Sequence, residues 1–244
     1  MEVLGVDIGG SGIKAAPVNT ETGDLTGERF RLPTPQPPLP EPMVETTAEV
    51  IRHFNWTGPV GVGFPAVVKH GVVKTASNID NSWIGLNAQE LIGKASGCDV
   101  SVGNDADVAS LAEVKFGAGR DVKGFAIVIT LGTGIGTGIV IDGKLIPNSE
   151  LGHIHLANGL TAEQFAAESA KKRENLKSKE WGDRLNMYLK ELEFLFSPDL
   201  FILGGGGCKK FDKFSGQLTL ETKVVPAELK NLAGIIGAAL LVEQ

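Results

Sequence analysis

Two glycine-rich turns, half a chain apart, carry the first chemistry in this sequence. The apolar run Val3-Leu4-Gly5-Val6 meets Asp7 and enters Gly9-Gly10-Ser11-Gly12; Ala126-Ile127-Val128-Ile129 meets Thr130 and enters Gly132-Thr133-Gly134-Ile135-Gly136. Glycine in such a turn permits φ > 0 and leaves backbone N–H groups uncovered, so the chain can approach an anion such as phosphate closely. After each turn the sequence reads as β again, Ile13 to Val18 and Thr137 to Ile141. A second polar turn follows each, Asn19 to Asp24 or Asp142-Gly143-Lys144. One such hairpin would be commonplace. Two of them, one per half, predict two similar halves gripping a phosphate chain. Between them, Asn104-Asp105-Ala106-Asp107 sets two carboxylates where a buried strand, Asp99 to Val102, gives way to a helix, Val108 to Phe116. Acids there suit the helix dipole and the N-cap, so capping is one reading of Asp105 and Asp107.

Other phosphate-binding patterns fail on context. Gly10, Gly12 and Ala15 fit the dinucleotide pattern G-x-G-x-x-G/A after a strand. That motif needs a helix to open at the turn, whose N-terminus holds the pyrophosphate. Pro17 and the Asn19 to Asp24 turn arrive too soon for one. The P-loop pattern G-x-x-x-x-G-K-[ST] is absent.

The elements that must position these residues follow from pattern and composition. A chain of 244 residues holds one large domain or two compact lobes. Apolar content of 42% and charged content of 21% are those of a soluble globular protein. A net charge of −6 argues against a dedicated nucleic-acid binder while leaving room for a local basic patch. Cys98 and Cys208 are far apart, which excludes a C-x-x-C metal cluster and fits a reducing compartment. With no basic n-region at the N-terminus and no apolar run of membrane-spanning length, the expectation is a cytoplasmic protein that contacts no membrane.

Along the chain, the proline-rich segment Pro33 to Pro42 reads as a stiff extended loop leading into a helix, Met43 to Phe54. Val60 to Val68 and Gly71 to Lys74 read as a β pair, and Leu91 to Ser96 as a helix. Thr161-x-x-Gln164 is a capping box opening a helix to about Lys172. Trp181, Leu185, Tyr188, Leu189, Leu192, Leu195 and Phe196 recur at helical spacing up to Ser197-Pro198, with Trp181, Tyr188 and Phe194 read as core. A buried strand, Asp199 to Leu203, then runs into Gly204-Gly205-Gly206-Gly207. Glu221 to Val225 is the last strand, and Glu228 to Val242 a closing helix.

Taken together, Asp7-x-Gly9-Gly10, Asn104 to Asp107, Leu131 to Gly136, Glu150-Leu151-Gly152-His153 and Gly204-Gly205-Gly206 resemble the ROK sugar kinases. Order and spacing match along nearly the whole chain. Within that family, Asp7 to Lys14, Ser82 to Gly85, Val225 to Leu229 and a shortened stretch after His153 are similar to the polyphosphate-using glucokinases. The resemblance implies an α/β, actin/hexokinase-like (ribonuclease H-like) duplicated fold, two lobes with a central cleft. One lobe would be residues 1–108 completed by a C-terminal helix, 227–244; the other would be 109–226.

It also implies an activity: phosphoryl transfer from inorganic polyphosphate, and ATP, to the 6-hydroxyl of glucose, with Mg²⁺, in a homodimer. Such chemistry rests on a carboxylate that accepts the hydroxyl proton and on positioning and charge stabilisation of the phosphoryl group. By family analogy Asp105 is that base. Asn104, Glu150 and His153 resemble the sugar ligands, and Glu163 a further sugar carboxylate with Glu168 as competitor. Asn78 is a candidate from the first lobe. Asp7 resembles the acid that orders Mg²⁺, through water. Gly9, Gly10, Ser11, Gly12, Gly132, Thr133 and Gly134 would line the phosphates, and Gly204, Gly205 and Gly206 a nucleotide base or further phosphates. Lys14 would reach phosphate or stay a solvated strand lysine. Lys209 and Lys210 would meet distal phosphates, whereas Lys171-Lys172-Arg173 reads as a solvated face. Most ROK kinases carry a Cys-rich zinc loop after Glu-x-Gly-His; with no Cys between Cys98 and Cys208, this chain implies no zinc. The alternatives are a strictly ATP-dependent hexose kinase of the same family and a non-enzymatic sugar-binding regulator.

Overall fold

The structure, a computed structural model, describes residues 1–243 and divides into two units, residues 1–112 with the segment from Asn231 onward, and Glu113–Lys230. In the first unit β1 (Glu2–Gly9) and β2 (Gly12–Asn19) form the antiparallel hairpin, and β3 (Phe30–Leu32) extends it. On the other side of β1, β4 (Val60–Phe64) and β7 (Val100–Asn104) pair in parallel, giving the order β3-β2-β1-β4-β7. In the second unit β8 (Phe125–Leu131), β9 (Ile135–Ile141) and β10 (Lys144–Ile146) are the antiparallel set. There β11 (Leu200–Gly204) and β12 (Lys223–Pro226) run parallel, in the order β10-β9-β8-β11-β12. The two sheets share one plan strand for strand, so the expected duplicated actin/hexokinase-like architecture is present. A separate small hairpin joins β5 (Val68–Lys69) and β6 (Val72–Val73).

Strand alternation explains how each sheet is covered. Leu4, Val6 and Ile8 of β1, with Val60, Val62 and Phe64 of β4, face a core shared with Met43, Val50 and Ile51 of α1 (Pro40–His53) and Ile92 of α2 (Ala88–Ser96). The alternate residues Gly5 and Gly61 face α7 (Ala233–Leu240), and a Cβ at either would run into the carbonyl oxygens of Ile235 and Ala238. The missing side chains let the helix backbone lie directly on the sheet. In the second unit Ile127, Ile129 and Leu131 face α6 (Ser178–Phe196), while Ala126 and Val128 face the opposite cluster with Leu200 and Ile202.

Several expectations are corrected. The helix α1 starts at Pro40, because prolines in a first turn lack only N–H groups that have no intrahelical partner anyway. The helix expected from Thr161 to Lys172 breaks at Ala167, whose ψ of 161° is extended, into α4 (Ala162–Ala166) and α5 (Glu168–Arg173); the Thr161/Gln164 capping box is present. The closing helix is α-helical only from Ala233, because the Glu228 and Leu229 N–H groups bond the Glu113 carboxylate and Lys230 takes φ +52°. Trp181 and Tyr188 are buried, but Phe194 is 83% exposed, since it falls opposite the Trp181–Leu185–Leu192 face of α6. No helix among the described residues is long and apolar enough to cross a membrane.

Candidate active site

Alternation puts Asp7 on the face of β1 that Gly5 shares, toward α7. Its carboxylate pairs with Lys14 Nζ at 2.8 Å, across the hairpin from its register partner. The same carboxylate lies against Gly234, where an added Cβ would sit 2.6 Å from Asp7 Cγ. Lys14 is therefore fixed on Asp7, neither a solvated lysine nor a free arm.

Beyond Asp7 the chain turns through Gly9 to Gly12. The carbonyls of Gly9, Gly10 and Ser11 accept hydrogen bonds from the Thr34 hydroxyl, the Gln36 amide and the Arg31 guanidinium, respectively. In a trans peptide the following N–H points opposite to the carbonyl. The Gly10 and Ser11 N–H groups are thus turned away from the 31–36 segment, on the side where an anion would be received.

At the carboxyl end of β7, Asn104 ends the strand and Asp105 opens α3 (Asp105–Phe116). Asn104 does the capping: its Oδ1 accepts from Ala106 N at 2.9 Å and Asp107 N at 3.2 Å, and its Nδ2 donates to Ala66 O at 3.0 Å. Asp105 Oδ1 also accepts from Ala106 N, at 2.8 Å, and the residue is half-buried. The cap expected of Asp105 or Asp107 is chiefly the work of buried Asn104. Register aligns Asp7 with Gly63 and Gly63 with Gly103, so Asp7 stands two strands, roughly 10 Å, from Gly103, and Asp105 follows two residues on at the same carboxyl edge. That edge is where open α/β sheets bind ligands. Asn78 lies exposed in the loop after β6.

The second unit assembles its own set around Ile135. Glu163 Oε2 accepts from Ile135 N at 2.8 Å and lies against Gly134. Glu163 therefore braces the Gly132–Gly136 turn, a role that its expected place on the sugar does not foresee. Gly152 packs onto the Ile135 carbonyl, docking the Glu150–His153 turn there. Glu150 Oε2 and His153 Nδ1 are 3.1 Å apart. Burial holds the Glu150 carboxyl above its ordinary range; His153 opposes this and Glu163 adds to it. Thr137 anchors the same loop, its hydroxyl donating to Ser149 O at 2.6 Å and accepting from Leu151 N at 3.0 Å.

The break before α5 lets Ser169 N donate to Gly132 O at 3.3 Å, which turns the Thr133 N–H to the opposite side. Gly205, at φ +82°, rests on the Leu131 backbone, where any side chain would collide, and Gly207 packs beside it. The Gly204–Gly207 turn thus packs on Leu131, the residue that leads into the Gly132–Gly134 turn. Glu168 Oε2 is near Gly206 and its Oε1 pairs with Lys172 at 3.0 Å. Lys209 and Lys210 follow in an exposed 3-10 segment. Burial pushes the Cys208 thiol up to about 12, which makes it inert.

Sequence reasoning missed Arg31, Thr34, Gln36, Thr137 and Gly234. The first three lie in an edge strand and a proline-rich loop whose spacing carries no signal for contacts with a turn twenty-odd positions earlier. Gly234 stands with Gly237 inside an apolar helix pattern, where glycines are unusual enough to have marked a close approach.

The ROK family model matches residues 3–168. The polyphosphate glucokinase of Mycobacterium tuberculosis is 47% identical over 238 residues, 97% of this chain and 89% of the relative. The solved inorganic polyphosphate/ATP-glucomannokinase of Arthrobacter sp. strain KM is 46% identical, with a TM-score of 0.94 over 99% of this chain and 98% of that one. A ROK family glucokinase from Streptomyces griseus, solved in complex with glucose and AMPPNP, is 28% identical, with a TM-score of 0.84 over 99% of each chain. With hairpin, capped carboxylate and duplicated sheet all in place, this chain belongs to the ROK family.

Proposed function

We propose that this chain transfers a phosphoryl group from inorganic polyphosphate, and from ATP, to the 6-hydroxyl of glucose. The observation that carries the reading is the first glycine turn, its carbonyls tied back, with Asp105 two strands along the same sheet edge. Its relatives with polyphosphate glucokinase and polyphosphate/ATP-glucomannokinase activities support the donor and acceptor. Asp105 accepts the proton of the attacking hydroxyl. Gly10, Ser11 and Thr133 offer N–H groups to the donor phosphates, and positioning with charge stabilisation does most of the work. Asn104, Glu150 and His153 hold sugar hydroxyls, with fixed polar groups that reject analogues lacking one.

Asp7 offers one carboxylate beside Lys14, and no set of three His, Cys, Asp or Glu clusters among the described residues. That donor set fits a hard cation such as Mg²⁺ whose other ligands are water and phosphate oxygens. Bound there, Mg²⁺ would offset charge on the transferring phosphoryl group.

The test is glucose 6-phosphate formation with polyphosphate, ATP and GTP compared side by side. Turnover with both polyphosphate and ATP is expected. Turnover with ATP alone would make this a strictly ATP-dependent kinase, and glucose binding without turnover would make it a sugar-binding regulator.

A further inference from the structure

Two basic segments far apart in sequence meet on the second unit. Lys171 lies on α5 with its Nζ 4.5 Å from the centroid of the Trp181 ring and 3.4 Å from Ser178 Oγ. Trp181 is fixed by its own Nε1 bond to Ala166 O at 2.8 Å. A Cβ at Gly207 would sit 3.0 Å from the far edge of the same indole, and the Phe214 ring packs on it at 4.9 Å. Trp181 thus joins α5 to both ends of the Gly206–Lys213 segment, which carries Lys209, Lys210 and Lys213 against one acid, Asp212. That segment continues directly from the turn stacked on Leu131, and α5 begins where Ser169 N meets Gly132 O.

Burial lowers the Lys171 pKa; Glu168 opposes this, and the charges of Lys210 and Lys213 lower it further. Glu168 is itself bonded to Lys172 at 3.0 Å. The Trp181 contacts thus gather like charge from two segments on one side of the unit, in a chain of net charge −6, and these charges repel. An extended anion laid across them relieves that repulsion.

We propose that Lys171, Lys210 and Lys213 form a cationic track for the distal phosphates of a polyphosphate donor, leading away from the Gly132–Gly134 turn and the Gly204–Gly207 turn packed on Leu131 beside it. The proposal rests on the polyphosphate reading above and gives it a place. Lys171 is then no idle member of a solvated face but the partly buried end of the track. A nucleoside triphosphate, or tripolyphosphate, is too short to use the whole of it.

The test compares wild type with the exposed double variant K210A/K213A and, separately, K171Q, which keeps most of the stem over Trp181. KM is measured for long-chain polyphosphate, tripolyphosphate and ATP, at two salt concentrations. For long polyphosphate it should rise about tenfold or more, the scale of losing charged hydrogen bonds. Its salt dependence should weaken as fewer phosphate charges are neutralised. KM for ATP and for tripolyphosphate should stay within about twofold, which also shows that the variants fold. Equal losses with all donors, or none with long polyphosphate, would overturn the track while leaving the kinase reading intact. A wild-type enzyme that uses ATP but not polyphosphate would overturn the track together with the polyphosphate reading, leaving an ATP-dependent kinase.

Discussion

Asp105 shows why a residue's role cannot be separated from its neighbour's. A carboxylate at a helix start is ordinarily a cap, but here Asn104 supplies the cap to Ala106 N and Asp107 N. Asp105→Asn should keep the melting temperature and most glucose affinity while kcat falls at least ~10²-fold, the scale of a lost general base. Near-normal turnover would remove Asp105 from that role. Tyr188 poses the opposite problem. Its side chain is fully buried, its hydroxyl lacks a hydrogen-bond partner among the described residues, and burial drives its pKa far up. Tyr188→Phe removes a desolvated donor at little change of shape, so calorimetry should show stability unchanged or raised by ~1 kcal/mol. A clear loss would mean that the hydroxyl has a partner such as a buried water.

At the scale of elements, the glycine turns work because other segments hold them. Gly234 of α7 makes room for the Asp7 carboxylate, and the Lys14 pair completes its fixing. Gly234→Ala should leave the fold cooperative yet lower kcat by about 10²-fold, since displacing a site group by an ångström costs that much. Unchanged kinetics would show that Asp7 tolerates the shift. Glu113 plays a structural part: buried near the end of α3, it accepts from Ala118 N at 3.1 Å, Glu228 N at 3.1 Å and Leu229 N at 2.8 Å. Glu113→Ala should destabilise by ~3 kcal/mol in denaturant unfolding, because a buried carboxylate is removed and three part-buried backbone donors lose their acceptor. A loss below ~1 kcal/mol would mean that water replaces it.

On the scale of the molecule, each unit is held by its own apolar core, around Trp83 and Phe64 in one and Trp181 and Phe201 in the other. No three His, Cys, Asp or Glu side chains cluster as metal ligands among the described residues, and the expectation is that metal serves the reaction rather than the fold. EDTA should therefore abolish turnover, restored by Mg²⁺, while the thermal unfolding curve stays in place. A curve shifted down by chelation would reveal a structural metal.

The sequence by itself determined the duplicated hairpins, the buried strand that gives way to a helix around Asn104 to Asp107, and the motif set that marks the family. These signals are local: apolar runs, turn glycines and capping residues report their own conformation within a few positions. The edge strands Phe30–Leu32 and Lys144–Ile146 escaped because three residues beside a proline or a turn carry too little periodicity. Only the tertiary structure decided that Asn104 also ties back to Ala66, that Glu163 braces a turn, that Gly234 yields space to Asp7, and that Trp181 joins the helix of Lys171 to the Gly206–Lys213 segment. Each depends on a contact between segments distant in the chain, fixed by sheet register and close packing, to which residue type and spacing are blind.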